Sequence, residues 1–200
     1  MHEAHRNKVT FILGGVRSGK SRLAQQIAAR ASHVVFIATA KPSDEEMRSR
    51  IARHRQSRPE GWQTLEIPLD LDIAISNLSE EYLAIVDCLT VYLANVMSKA
   101  GGEESAIWEY VNRLYSALKD TKASILLVSN EVGSGVHPPT PLGRQYCDLL
   151  GGLNQAVAAL ADNVVLMVAG VPVTIKGQLP TEPKLRFHGE VPNALEKSSA

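Results

Sequence analysis

Short runs of Val, Ile and Leu recur along the chain at Val9–Leu13, Val34–Ala38, Leu83–Asp87, Ile125–Ser129 and Val164–Val168. Each is apolar along most of its length, the pattern of a strand buried on both faces of a parallel sheet. Between them lie segments with helical spacing: Ser21–Arg30, Asp44–Arg55, Val91–Ser98, Ile107–Leu118 and Leu142–Ala161. Strands and helices in alternation predict an α/β fold, a mostly parallel sheet flanked by helices with right-handed crossovers. Gly101–Glu104 reads as a loop between helices, and Val171–Lys176 as an added edge strand. Beyond Gly177 come Pro180, Pro183 and Pro192 with little periodicity, so residues 177–200 read as a mobile tail. No repeat or linker divides the chain. A single nucleotide-binding domain over residues 1–200, with an ordered core of about 9–176, is the expectation.

The junction of the first strand and first helix carries the strongest chemical signal. Gly14-Gly15-Val16-Arg17-Ser18-Gly19-Lys20-Ser21 has the spacing of a phosphate-binding loop, in the strand–loop–helix context such a loop needs. Its glycines let backbone N–H groups wrap phosphate oxygens at a helix N-terminus whose dipole favours anions. Lys20 is placed to neutralise the β- and γ-phosphates, and the Ser21 hydroxyl to ligate Mg²⁺. The fold class narrows to the P-loop NTPase type, and a nucleoside triphosphate is the expected ligand.

Composition excludes more than it selects. The 200 residues suit one domain with a sizeable core, and 21 basic residues balance 21 acidic ones. Zero net charge gives no electrostatic case for nucleic acid or an anionic membrane as partner. Met1–Lys8 is polar with no apolar signal core behind it, and no apolar run is long enough to span a bilayer. Cys88 and Cys147 lie in apolar contexts without metal-ligand spacing. A soluble cytoplasmic protein with reduced thiols is expected.

A phosphate loop needs a carboxylate at the end of a neighbouring buried strand, and Leu83-Ala84-Ile85-Val86-Asp87 supplies one. In an open α/β sheet the carboxyl ends face the ligand crevice, which makes Asp87 a second Mg²⁺ ligand, direct or through water. The competing role is a cap for the helix that follows. Glu131, in Ser129-Asn130-Glu131-Val132-Gly133-Ser134-Gly135, ends another buried strand at the same edge. Orienting the acceptor or activating its hydroxyl, and an exposed turn residue, are equally good readings of Glu131.

The segment from Asp44 to Pro59 is unusual. Acids at its start and arginines at its end suit a helix dipole, yet only Met47 and Ile51 form an apolar stripe, which His54 extends. A helix anchored by so little apolar surface is weakly held. Arg48, Arg55 and Arg58 carry enough charge to neutralise a triphosphate, and nearby cations favour the neutral, nucleophilic imidazole of His54. By itself the segment reads rather as a solvated basic helix with a chance histidine.

Taken in order, the motifs resemble one family. They are the phosphate loop, Phe36-Ile37-Ala38-Thr39-Ala40, Asp44-Glu45-Glu46-Met47, Arg50-Ile51-Ala52-Arg53-His54-Arg55, and Arg58-Pro59 with Trp62. Asp87-Cys88-Leu89-Thr90, Ser129-Asn130-Glu131-Val132-Gly133 and Gly152-Leu153-Asn154-Gln155 continue the series. The family is the bifunctional adenosylcobinamide kinase/adenosylcobinamide-phosphate guanylyltransferase, matched from about Val9 to Lys176. The resemblance implies a RecA-like core and two reactions. In the first, ATP or GTP phosphorylates the aminopropanol hydroxyl of adenosylcobinamide. In the second, GTP guanylylates an enzyme histidine with release of pyrophosphate, and the phosphorylated corrinoid then takes the GMP. By position that histidine is His54; some relatives carry a second one where this chain has Arg53. The family's further nucleotide contacts fall on Ala38, Thr39, Ala40, Arg55, Gln56, Ser57, Arg58, Glu66 and Asp87. The resemblance also implies a homo-oligomer, a trimer among the forms.

Three other readings compete. A simple phosphate-loop kinase of another alcohol would need no histidine nucleophile. A GTP-dependent switch usually reads guanine with Asn-Lys-x-Asp after a late strand, and Ser129-Asn130-Glu131-Val132 lacks the lysine and aspartate. A RecA-like ATPase acting on DNA would want a basic stripe that this chain lacks.

Overall fold

A computed structural model of the chain describes residues 8–41, 45, 48, 58–59 and 61–179. The chain runs β1 (Val9–Gly14), α1 (Lys20–Ala28), β2 (His33–Ala38), β3 (Gln63–Glu66), α2 (Leu71–Ser76) and β4 (Tyr82–Asp87). It continues through α3 (Leu89–Lys99), α4 (Glu104–Asp120), β5 (Ser124–Val128), α5 (Pro141–Leu160), β6 (Asn163–Val168) and β7 (Val171–Lys176). The seven strands form one sheet in the order β3-β2-β4-β5-β1-β6-β7. Every pairing is parallel except that of β7, which turns back antiparallel on β6.

The apolar runs bury both faces of the strands, as their continuous hydrophobicity requires. On one face Ile12, Phe36, Ile85, Leu126, Val128, Val165 and Met167 pack against Leu23, Ala24, Ile27 and Ala28 of α1. On the other, Phe11, Val35, Ile37, Val86 and Leu127 meet side chains of α2, α3, α4 and α5, among them Leu71, Leu93, Leu114 and Leu153. Each fully buried side chain of this size contributes about 1.5–3 kcal/mol, so the second face carries most of the burial. The Trp108 ring of α4 lies over Gly152 of α5, where a Cβ would come within 2.7 Å of it. That glycine sets the close approach of the two helices.

Register fixes one functional level. Glu66 pairs with Ala38, Ala38 with Asp87, Asp87 with Val128, Val128 with Ile12, and Ile12 with Val165. Residues in register on parallel strands project to the same face. Ala38, Val128, Ile12 and Val165 belong to the core on the α1 side, so the whole row faces α1 at the carboxyl edge.

The five buried strands begin and end within one residue of the apolar runs. Four expected helices are present; α3 starts before the expected Val91, at Leu89, and α4 before the expected Ile107, at Glu104, which opens the helix instead of closing the loop. The helix expected over Asp44–Arg55 lies outside the described residues except for Glu45 and Arg48, which are helical and ion-paired at 2.9 Å. Two elements were not expected. β3, Gln63-Thr64-Leu65-Glu66, is four residues long with a single strongly apolar side chain, and α2 has only six residues. Gln178 donates to Asn163 Oδ1 at 2.9 Å and Leu179 packs on the α1-side core; residues 180–200 lie outside the described residues. Among the described residues no helix is long and apolar enough to cross a membrane.

Candidate nucleotide-binding site

The phosphate loop is shaped by backbone that few residues accept. Gly14 has φ +146°, and a Cβ there would lie 2.5 Å from the Met167 carbonyl oxygen and 2.7 Å from Ser18 Oγ. Arg17 is left-handed at φ 58°, and Gly19 at φ 99° stands at the N-cap of α1 with no side-chain cap. No side chain caps the first-turn N–H groups, the groups with which a helix N-terminus binds an anion. Lys20 is buried, and its ammonium donates to Gly15 O at 2.7 Å, so the cation lies across the loop. Neighbouring strand ends hold the loop in place: Glu131 N donates to Gly14 O (3.2 Å) and Gly170 N to Ser18 O (3.0 Å). Ser18 Oγ is buried without a hydrogen-bond partner, a polar group turned into the loop. Val16 projects outward, so its part in nucleotide binding rests on its backbone.

Asp87 ends β4, and β5 separates that strand from β1. Two strand spacings, about 10 Å, thus divide Asp87 from the strand that launches the loop. The helix after Asp87 has Cys88 at its N-cap and no side-chain cap bond, so Asp87 does not serve as the cap. Its carboxylate and the half-buried Ser21 hydroxyl are hard oxygen donors on the α1 side of the sheet, a set suited to Mg²⁺ completed by phosphate oxygens. Among the described residues no group of three His, Cys, Asp or Glu side chains forms a closed metal cage. The Asp87–Cys88 peptide is cis. Burial first and the Asp87 charge second push the Cys88 thiol upward in pKa. It stays protonated and is no nucleophile at neutral pH.

Ala38, Thr39 and Ala40 close β2 beside Asp87. Thr39 is fully buried, which removes its side chain from direct contact with a nucleotide. Glu66 is exposed at the end of edge strand β3, level with Asp87. One row lower on the same face, the Arg58 guanidinium lies 3.7 Å over the Phe36 ring and donates to Thr64 Oγ1 at 3.0 Å. Arg58 is thus fixed near the sheet by stacking and a hydrogen bond, not extended into solvent. His54, Arg55, Gln56 and Ser57 lie outside the described residues.

Glu131 is exposed and its Oε1 accepts from Gly133 N at 2.8 Å, so the carboxylate braces its own loop. Beneath the edge runs a line of buried side-chain bonds that the motifs contained but gave no role. Asn130 N donates to Thr90 Oγ1 (2.9 Å), Tyr146 Oη to Thr90 O (3.0 Å), Ser129 Oγ to Asn154 Oδ1 (2.8 Å) and Asn154 Nδ2 to Asn130 O (3.1 Å). The signal for Asn154 is an amide on an otherwise apolar helix face, since a buried amide needs partners. The result is a shallow edge where an anion-binding loop, a lysine, two carboxylates and an arginine share one face.

Residues 10–175 match the model of the cobinamide kinase / cobinamide phosphate guanyltransferase family. The chain is 43% identical over 175 residues to the bifunctional adenosylcobalamin biosynthesis protein CobP of Pseudomonas aeruginosa, covering 84% of this chain and 97% of that one. It is 37% identical over 178 residues to the corresponding protein CobU of Escherichia coli, covering 83% and 98%. Among solved structures it is similar in fold to a prototypical ATPase of a type III secretion system from pathogenic bacteria, with TM-score 0.54 at 14% identity. That alignment covers 80% of this chain and 51% of the ATPase. The ATPase EscN of enteropathogenic E. coli aligns with TM-score 0.52 at 13% identity, covering 82% and 43%. These likenesses are of fold alone and place the sheet among RecA-like P-loop structures.

Proposed function

The chain belongs to the cobinamide kinase / cobinamide phosphate guanyltransferase family, and from that premise we propose how one face of its single domain serves both reactions. It is a kinase and a nucleotidyltransferase of adenosylcobalamin biosynthesis. In the kinase step the loop amides and Lys20 hold the β- and γ-phosphates of ATP or GTP. The aminopropanol hydroxyl of adenosylcobinamide attacks the γ-phosphorus, the γ-phosphoryl bond to the nucleoside diphosphate breaks, and the hydroxyl proton passes to solvent. Ser21 and Asp87 would hold Mg²⁺, which supplies charge neutralisation on the phosphates when bound.

In the second step a ring nitrogen of His54 attacks the α-phosphorus of GTP and pyrophosphate leaves, forming an N–P bond. A phosphate oxygen of adenosylcobinamide phosphate then attacks that phosphorus, breaks the N–P bond and restores the imidazole, giving adenosylcobinamide-GDP. Arg55, Gln56, Ser57 and Arg58 follow His54 directly in sequence and bind the leaving group and ribose, with Ala38, Ala40 and Glu66 along the strand ends. The observation that carries this reading is the shared level and face: Glu66, Ala38 and Asp87 lie in one row on the side of the sheet occupied by α1. A homo-oligomer, a trimer by family resemblance, fits the exposed apolar strip Val168, Val171, Val173 and Ile175 at the sheet edge. Two free thiols and nucleotide substrates fit a cytoplasmic location.

Incubation with Mg²⁺ and GTP labelled at the α-phosphate tests the histidine. Acid-labile, alkali-stable label is expected on the native protein and none on His54→Ala. Label on both, or on neither, overturns the role of His54.

A further inference from the structure

Thr39 stands among the nucleotide-contact positions, yet it is fully buried and its hydroxyl is already spent. Its Oγ1 donates to Cys88 O at 2.8 Å and accepts from Cys88 N at 2.9 Å, while its backbone N–H donates to Asp87 O at 3.1 Å. One residue thus grips three main-chain groups at and just beyond Asp87. The grip is braced from behind: Asn95 Nδ2 of α3 donates to Thr39 O at 2.8 Å and to Pro68 O at 3.1 Å. Asp87 is the last residue of β4, where the ladder to β2 ends with the Ala38–Asp87 pair. Past that pair the strand ends are tied by the Thr39 N–H bond to Asp87 O and by this side-chain clamp on Cys88.

We propose that Thr39 is a positioning residue which, through the Cys88 backbone, aims the Asp87 carboxylate for metal-bound nucleotide, with Asn95 as its brace. The inference rests on the reading of Asp87 as a Mg²⁺ ligand. Groups that orient a metal-binding carboxylate typically change metal affinity 10- to 100-fold when lost, without touching the ligand themselves. Valine keeps the shape of threonine and removes both hydroxyl bonds; serine keeps the hydroxyl.

The test titrates a fluorescent GTP analogue onto native protein, Thr39→Val, Thr39→Ser, Asn95→Leu and Asp87→Asn, in EDTA and across a Mg²⁺ series. The expected result for Thr39→Val is unchanged affinity in EDTA and a Mg²⁺ half-saturation raised about tenfold or more. Thr39→Ser should restore the native value, and Asn95→Leu should shift it in the same sense by less. Asp87→Asn should show the largest shift. If Asp87→Asn leaves the Mg²⁺ dependence unchanged, the metal reading itself fails and this inference with it. If Asp87→Asn shifts it and Thr39→Val does not, or if Thr39→Val weakens binding equally in EDTA, only the role of Thr39 is overturned. Should Thr39→Val not fold, the same comparison of EDTA with Mg²⁺ is decided on Asn95→Leu.

Discussion

Among the described residues, four helices, α2 to α5, press Leu, Ile and Tyr side chains against one face of the sheet, and the nine-residue α1 alone does so on the other. The thinner face holds the phosphate loop, Lys20, Asp87, Glu66 and Arg58. Among the described residues that face carries fewer buried apolar side chains and more polar groups at its carboxyl edge. The thick face supplies most of the apolar burial, and the thin face places amides, a lysine and carboxylates at one carboxyl edge. Stability and chemistry are divided by the plane of the sheet, and substitutions on the two sides should fail in different ways.

The largest separation is expected from Lys20→Ala. Loss of the cation lying across the loop should lower kinase kcat/KM by roughly 10²–10³-fold, with the thermal midpoint close to native. A midpoint that fell in step with activity would break the division. Leu93→Ala, on the thick face and fully buried, should do the converse. Urea unfolding should show a loss of about 2–5 kcal/mol, while folded protein keeps its kcat. The smallest effect is at the seam, where Cys88 adjoins Asp87. Burial and the neighbouring carboxylate both disfavour the thiolate, so alkylation of Cys88 should be slower than that of a free thiol at pH 8. Asp87→Asn removes one of the two causes and should speed it. Because the folded thiol keeps its proton to higher pH than the unfolded one, its contribution is complete below the unfolded value. It fades as pH rises through the folded one.

How much of this was legible in the sequence follows the same division. Long apolar runs announced β1, β2, β4, β5 and β6, because a strand buried on both faces has no polar alternation to disguise it. β3 and α2 were silent: an edge strand such as Gln63–Glu66 is half exposed, and six residues carry too few helical repeats to register. Within the site, Lys20 and Asp87 were visible because their chemistry depends on short spacing along the chain. The clamp of Thr39 on Cys88 joins residues 49 positions apart, and no local pattern encodes a contact of that kind. Thr39 also shows how position in a motif and role differ, since its side chain reaches a backbone where a ligand contact was expected. Glu131 kept two readings in the sequence, and the bond to Gly133 N favours the structural one.

The central claim of the proposed function is that the two chemistries have separate principal residues, phosphoryl transfer at Lys20 and guanylyl transfer at His54. It is tested most directly by assaying adenosylcobinamide phosphorylation and GMP transfer side by side in His54→Ala. The account predicts phosphorylation at the native rate with GMP transfer abolished. Loss of both half-reactions together in folded protein, or GMP transfer that survives the substitution, would contradict it.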